Sequence, residues 1–245
     1  MAVGGLLAST LHLGNPARAL RAFSQWRSSW LSREAWGSVV ALLVLAPVAL
    51  SDWLGLGWSR VPGVLGAVLC LATVGVTSMI YGQLKTVPRW NHWTTPVLFL
   101  AFMAAGGAIL TGNLVAIPLC LGLGIVLVLA FRIVDGRFRQ AAQTIGKATG
   151  LDRIGAVSVF ELPHTGQNYL LREMIYVVAR RHVVKLRWIA VGCAAVGPAV
   201  LLLVLPRHPV TFGVAAVVHL LGALAARWLF FAEAEHVVGL YYGKR

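Results

Sequence analysis

Six runs of apolar residues, each close to the length that crosses a bilayer, constrain this chain more than any other feature: 36–57, 61–81, 93–110, 114–134, 188–205 and 210–231. A helix needs about 20 apolar residues to span a hydrocarbon core of about 30 Å. In lipid every backbone N–H and C=O must be satisfied internally, which leaves the helix as the form such runs take. Composition agrees, with 58% hydrophobic and 12% charged residues and a mean hydropathy of +0.78, where soluble domains carry about 25% charged residues. The expected fold class is all-α, a polytopic integral membrane helix bundle of six transmembrane helices. It is read as one transmembrane domain over 1–245, with an extramembrane segment at 135–187 between the fourth and fifth spans.

Residues 1–11, MAVGGLLASTL, are apolar but too short to cross. They lack the basic start and cleavage context of a signal peptide. They read as a stub, the tail of a longer helix whose start is absent.

The charge is lopsided, 21 Lys and Arg against 8 Asp and Glu. Assigning the basic residues to loops places 18 on one face: Arg18, Arg21, Arg27 and Arg33, then Lys85 and Arg89, then ten over 132–187, then Lys244 and Arg245. The other face has Arg60 and Arg207, and Arg227 lies inside the last span. Such a bias reports membrane topology, with the basic face expected to be cytoplasmic, rather than nucleic-acid binding. Cys70, Cys120 and Cys193 each sit in an apolar run without a CxxC partner, and read as small buried hydrophobes. Within the long polar segment, 169–181 alternates Tyr169, Leu170, Met174, Ile175, Val177 and Val178 with Arg172, Glu173, Arg180 and Arg181. That period predicts an amphipathic basic helix on the headgroups, a surface also suited to an acidic soluble partner.

The polar stretch with the most chemistry is LHLGNPARALRAFSQWRSSWLSRE at 11–34. Gly14 and Pro16 would turn the backbone and leave His12 at a helix end. From the residues alone, His12 reads first as an interfacial histidine and second as a ligand. Glu34 is equally a first-turn carboxylate favoured by the helix dipole. Tyr81, Trp90 and Trp93 fit an interfacial aromatic belt, and Trp90 and His92 share the basic face with His12. An ionisable residue inside a span is a functional candidate by default, which singles out His219 and Arg227, with Glu233, Glu235 and His236 following on the same segment. Arg227 and Glu233 are expected to pair, with each other or across helices. His219 and His236 lie on one segment and no other span has a central His, so a bis-histidine haem is not expected.

Five stretches, LHLGNPARALRAF (11–23), WLSREAW (30–36), SMIYGQLKTVPRWNHW (78–93), LPHTGQNYLLREM (162–174) and RWLFFAEAEHVVGLYYG (227–243), resemble the membrane anchor subunit of dimethyl sulfoxide reductase, within the polysulfide reductase membrane subunit superfamily. The family usually has eight helices with the HLG motif after the second, so the resemblance implies that the first helix and most of the second are missing here. It also implies a quinol-oxidising anchor in a bacterial plasma membrane. Menaquinol would give electrons to an iron-sulfur subunit, and that subunit to a molybdopterin catalytic subunit. By position the quinol-binding residues are His12, Gly14, Arg18 and Glu34, with His12 and Glu34 in the proton chemistry. Secondary candidates are Trp90, His92, Arg227 and His236. One departure is Leu20, where the family motif has Phe. Quinol oxidation releases protons with electrons, and a histidine touching the ring hydroxyl is the ordinary acceptor. No haem or metal is expected on this chain, and its electrons must leave to a partner. Two other classes stay open, a structural tether without a quinol site and a small secondary transporter, although no internal repeat supports the latter.

Overall fold

In a computed structural model of the protein, the described residues are Gly4, 15–58, 60–161 and 182–242. His12, Gly14 and the amphipathic stretch 169–181 therefore lie outside the described residues. What is described is helical, with no strand among the described residues. Five helices are long and apolar enough to cross a membrane, and a sixth apolar helix, Thr94–Leu110, has 17 residues. The protein is a multi-pass membrane protein. The chain divides into two compact units, Met1–Ile80 and Tyr81–Arg245.

In the first unit a 3₁₀ helix, Pro16–Phe23, leads into α1, Trp30–Leu54, and α2, Arg60–Gly82. The apolar pattern places the start of the first span at Trp36; the structure starts the helix at Trp30. Ser29 is the reason, since its hydroxyl accepts the Ser32 N–H at 3.4 Å and satisfies one of the donors a helix start leaves open. Arg33 folds back from the first turn, donating to the carbonyls of Trp26 at 2.9 Å and Arg27 at 2.6 Å. Its guanidinium lies 4.4 Å over the Trp30 ring. Trp36 donates to the Phe23 carbonyl at 3.0 Å and meets the Phe23 ring edge-on at 5.3 Å. These contacts fix the 3₁₀ segment to the start of α1. At the other end Gly55 takes φ +66°, the left-handed cap that glycine adopts without a Cβ penalty. α1 and α2 approach closely at Gly37, where a Cβ would stand 2.9 Å from Thr73 Oγ1.

The second unit packs α3 (Thr94–Leu110), α4 (Ala116–Val134), α5 (Val183–Val204) and α6 (Pro209–Ala232). Its core mixes Ile109, Leu123, Leu127 and Leu229 with Ala105, Cys120, Ala190, Ala194 and Ala215. Small residues at helix contacts let backbones approach where lipid gives no hydrophobic drive for association. Cys120 is fully buried, Cys70 and Cys193 are half-buried, and all three are free thiols, as small apolar side chains would be. α5 contains a π-helical turn over Gly192–Val196. Pro198 has no N–H to offer the carbonyl of Ala194 four residues earlier, and His219 of α6 supplies the missing donor from Nδ1 at 2.7 Å. Between α4 and α5 the described chain makes only short turns, Arg137–Gln140, Ile145–Thr149 and Leu151–Arg153. α5 begins at Val183 rather than 188, so Lys185 and Arg187 stand on the helix.

Candidate functional site

Within the first unit, Arg18 is exposed on the 3₁₀ helix and Glu34 is half-buried one turn into α1. The Glu34 Oε1 accepts a hydrogen bond from Thr77 Oγ1 of α2 at 2.8 Å, and the same hydroxyl lies 2.9 Å from the Thr73 carbonyl. Among the described residues Oε2 has no partner, so the carboxylate is oriented on one oxygen and free on the other. Sequence reading did not single out Thr77. Its signal was a hydroxyl pair, Thr77 and Ser78, one turn after Thr73 in an apolar run, a type that recurs at helix contacts in membranes.

In the second unit the charged side chains converge at one end of the four helices. Arg187, in the first turns of α5, donates to both Asp135 oxygens, at 2.7 and 2.6 Å, and through Nε to Glu233 at 2.8 Å. Arg89, in the loop before α3, donates to Asp135 at 3.1 Å and to Glu233. Two cations thus face two anions, and Glu233 is almost fully buried, 6% exposed at its side chain. Asp135, just past α4, is under opposing influences. Burial alone would raise its pKa, but the hydrogen bonds and charges of Arg187 and Arg89 outweigh that and hold it below the ordinary carboxylate value.

Arg227 does not pair with Glu233, the first of the two pairings expected; Glu233 pairs across helices instead. Arg227 Nη2 donates to Tyr81 Oη at 2.6 Å. The guanidinium carbon lies 4.6 Å from the Tyr81 ring centre, 4.7 Å from Phe231 and 5.1 Å from both Phe99 and Phe230. Aromatic faces replace a carboxylate as its neighbours. Trp90 is buried in the same cluster, stacked on Phe230 at 5.2 Å and donating to the Phe230 carbonyl at 2.8 Å. His92 accepts the Thr94 N–H at its Nδ1, 3.3 Å away, with Thr94 Oγ1 at 3.0 Å from the same nitrogen. Burial, then the nearby charge of Arg137, keeps His92 below its ordinary pKa. His236 accepts the Val238 N–H at 2.9 Å, and burial lowers its pKa as well.

Two cavities share Arg89 and Glu233 in their walls. One, of about 520 Å³, is lined chiefly by apolar side chains of α3, α4 and α6, with Thr94, His219 and Arg227 among them. The other, of about 740 Å³, is richer in charged side chains, with Asp135, Arg139, Arg187 and Glu235 in its wall. Among the described residues no group of His, Cys, Asp and Glu is placed to hold a metal ion.

Comparison with known proteins adds the family. Residues 1–232 match the family model described as DMSO reductase anchor subunit (DmsC). The C component of the sulfite dehydrogenase of Allochromatium vinosum is 30% identical over 98% of this chain and 82% of its own length. The C component of the anaerobic dimethyl sulfoxide reductase of Escherichia coli K12 is 34% identical over 43% of this chain and 38% of its own length. The YnfH component of an anaerobic dimethyl sulfoxide reductase of the same organism is 31% identical over 42% and 37%. No solved structure matches at a significant level. The chain belongs to the family of DMSO reductase membrane anchor subunits.

Proposed function

We propose that this anchor subunit binds and oxidises menaquinol at a site formed by His12, Gly14, Arg18 and Glu34, and passes the electrons to an iron-sulfur subunit. A molybdopterin catalytic subunit is then the terminal partner, in a complex seated in the bacterial plasma membrane. On this reading the chain is a single anchor domain of six spans, and it performs no terminal reduction alone.

The observation that carries the reading is the family match, and the geometry of Glu34 supports it. A quinol gives up a proton from each ring hydroxyl as its electrons leave. His12 is the proposed first acceptor, with Arg18 as a donor to a ring oxygen and Glu34 as the onward carrier. A carboxylate with one oxygen tied to Thr77, and no partner for the other among the described residues, is held in orientation yet can take a proton on Oε2. A second reading runs the same site in reverse, as quinone reduction. The relative aligned over 98% of this chain is named for a sulfite dehydrogenase, which favours keeping both directions.

Glu34→Gln retains the Thr77 contact but removes the proton carrier. In membranes holding the assembled complex, it is expected to lower turnover with a menaquinol analogue by about 10²-fold or more, in the range of lost general acid–base catalysis, with little change in the amount of complex. Unchanged turnover in both directions would remove Glu34 from the proton path.

A further inference from the structure

We infer that the cavity walled by α3, α4 and α6 is a second ring-binding site, one that takes a lipid-soluble quinol with the Thr94 hydroxyl and the Arg227 guanidinium as its oxygen partners. This rests on the proposed quinol reading, but on none of the residues assigned there to the first site.

The chemistry of the walls selects the occupant. At about 520 Å³ the cavity lies within the roughly 300–1,000 Å³ of small-molecule sites, which are mostly apolar with a few placed polar groups. Phe99, Phe102, Phe131 and Phe230 stand in the wall, an aromatic lining that favours a flat conjugated ring over an acyl chain. An acyl chain would also leave the polar groups of the wall without partners, at a cost in a low-dielectric site. Arg227 spends one N–H on Tyr81. Among the described residues its remaining donors have no acceptor, and they suit a ring oxygen.

Thr94 adds a preference between redox forms. Nδ1 of His92 accepts the Thr94 backbone N–H, so it carries a lone pair, and the Thr94 hydroxyl 3.0 Å away must donate to it. The hydroxyl proton is committed, and what Thr94 has left to offer is a lone pair. It accepts from a hydroxyl and has nothing to give a carbonyl. The site therefore favours the reduced ring, with Thr94 accepting from one hydroxyl. His92 acts behind it as a positioning residue that fixes the Thr94 rotor.

The test uses the full chain in phospholipid nanodiscs, where acyl chains are in excess, with a short-tailed menaquinone analogue bearing a diazirine, supplied oxidised or chemically reduced. Crosslinks are mapped by peptide mass spectrometry. The expected result is labelling within 94–103 and 219–230, lost when Ala223→Phe fills the cavity and retained over 11–34. Thr94→Val is expected to weaken labelling by the reduced probe about 10-fold, with little change for the oxidised probe. Cavity labelling without labelling over 11–34 would uphold this inference and remove the first site. Labelling over 11–34 alone would overturn this inference and leave the proposed function standing. No labelling of any segment would overturn both. Cavity labelling that survives Ala223→Phe, or a Thr94→Val effect equal on both redox forms, would overturn the assignment.

Discussion

Glu233→Ala is expected to destabilise the protein by about 3–5 kcal/mol, the range for removing one partner of a buried ion pair. Glu233 sits at the C-terminal end of α6 and is the anion both Arg89 and Arg187 reach from other elements. Without it two guanidinium groups, 15% and 22% exposed, share the more exposed Asp135 alone. The loop before α3, the end of α4, the start of α5 and the end of α6 lose their common tie. Thermal unfolding in detergent should show a large fall in Tm. The double variant Glu233→Ala/Arg89→Ala should recover part of it, because it removes one of the stranded charges. Acid reports on the same network. The folded pKa of Asp135 is held below its ordinary value of 3.8, so its contribution is complete above about pH 4 and fades as the pH falls through the depressed value. The wild type should lose stability in that acid window, and Asp135→Asn should flatten the loss.

Gly222→Ala is the second substitution with a large expected effect. A Cβ at this position would stand 2.0 Å from the backbone nitrogen of Ala194 and 2.5 Å from its Cα. Backbone atoms cannot swing aside as a side-chain tip does, so α5 and α6 must separate. The expected cost is about 3 kcal/mol, at the upper end of overpacking effects. Separation would also stretch the bond from His219 to the Ala194 carbonyl, the group that Pro198 leaves without a helical donor. The π-turn, the proline, the histidine and the glycine therefore form one local solution to a close helix crossing. The measurement is the same unfolding experiment. A neighbouring control, Gly213→Ala, where a Cβ would meet nothing within 4 Å, should leave stability near wild type.

The sequence made the apolar helices legible because in lipid a long apolar run has one backbone solution. Boundaries were legible only where polarity changes sharply. α1 begins at Trp30 because a serine cap and an arginine turned back on two carbonyls outweigh the polar composition of Trp30–Glu34, and hydropathy carries neither. Arg227 and Glu233 were expected to pair, with each other or across helices, and the sequence could not choose between the two because both stand near the end of one segment. Their actual partners, Tyr81 for one and Arg89 and Arg187 for the other, come from distant parts of the chain that only packing brings together. The apolar cavity was invisible for a similar reason: most of its wall residues read as ordinary span positions, and His219, Arg227 and Glu233, which did stand out, gave no sign of sharing one wall. His92 and Trp90 were singled out from position. What each does, fixing the Thr94 hydroxyl and stacking on Phe230, emerges only once the helices are packed. The family was legible because HLGNPAR, WNHW and PHTGQNYLLRE are polar motifs between spans, where composition is not dictated by the bilayer.

The most direct test of the central claim is titration of the protein in membranes with a fluorescent hydroxyquinoline N-oxide, an inhibitor that mimics the menaquinol ring, comparing wild type with His12→Ala. The account predicts saturable quenching in wild type and, in the variant, loss of the component assigned to 11–34, with the protein still folded and inserted. Absence of saturable binding in folded wild type, or binding wholly unchanged in His12→Ala, would contradict it.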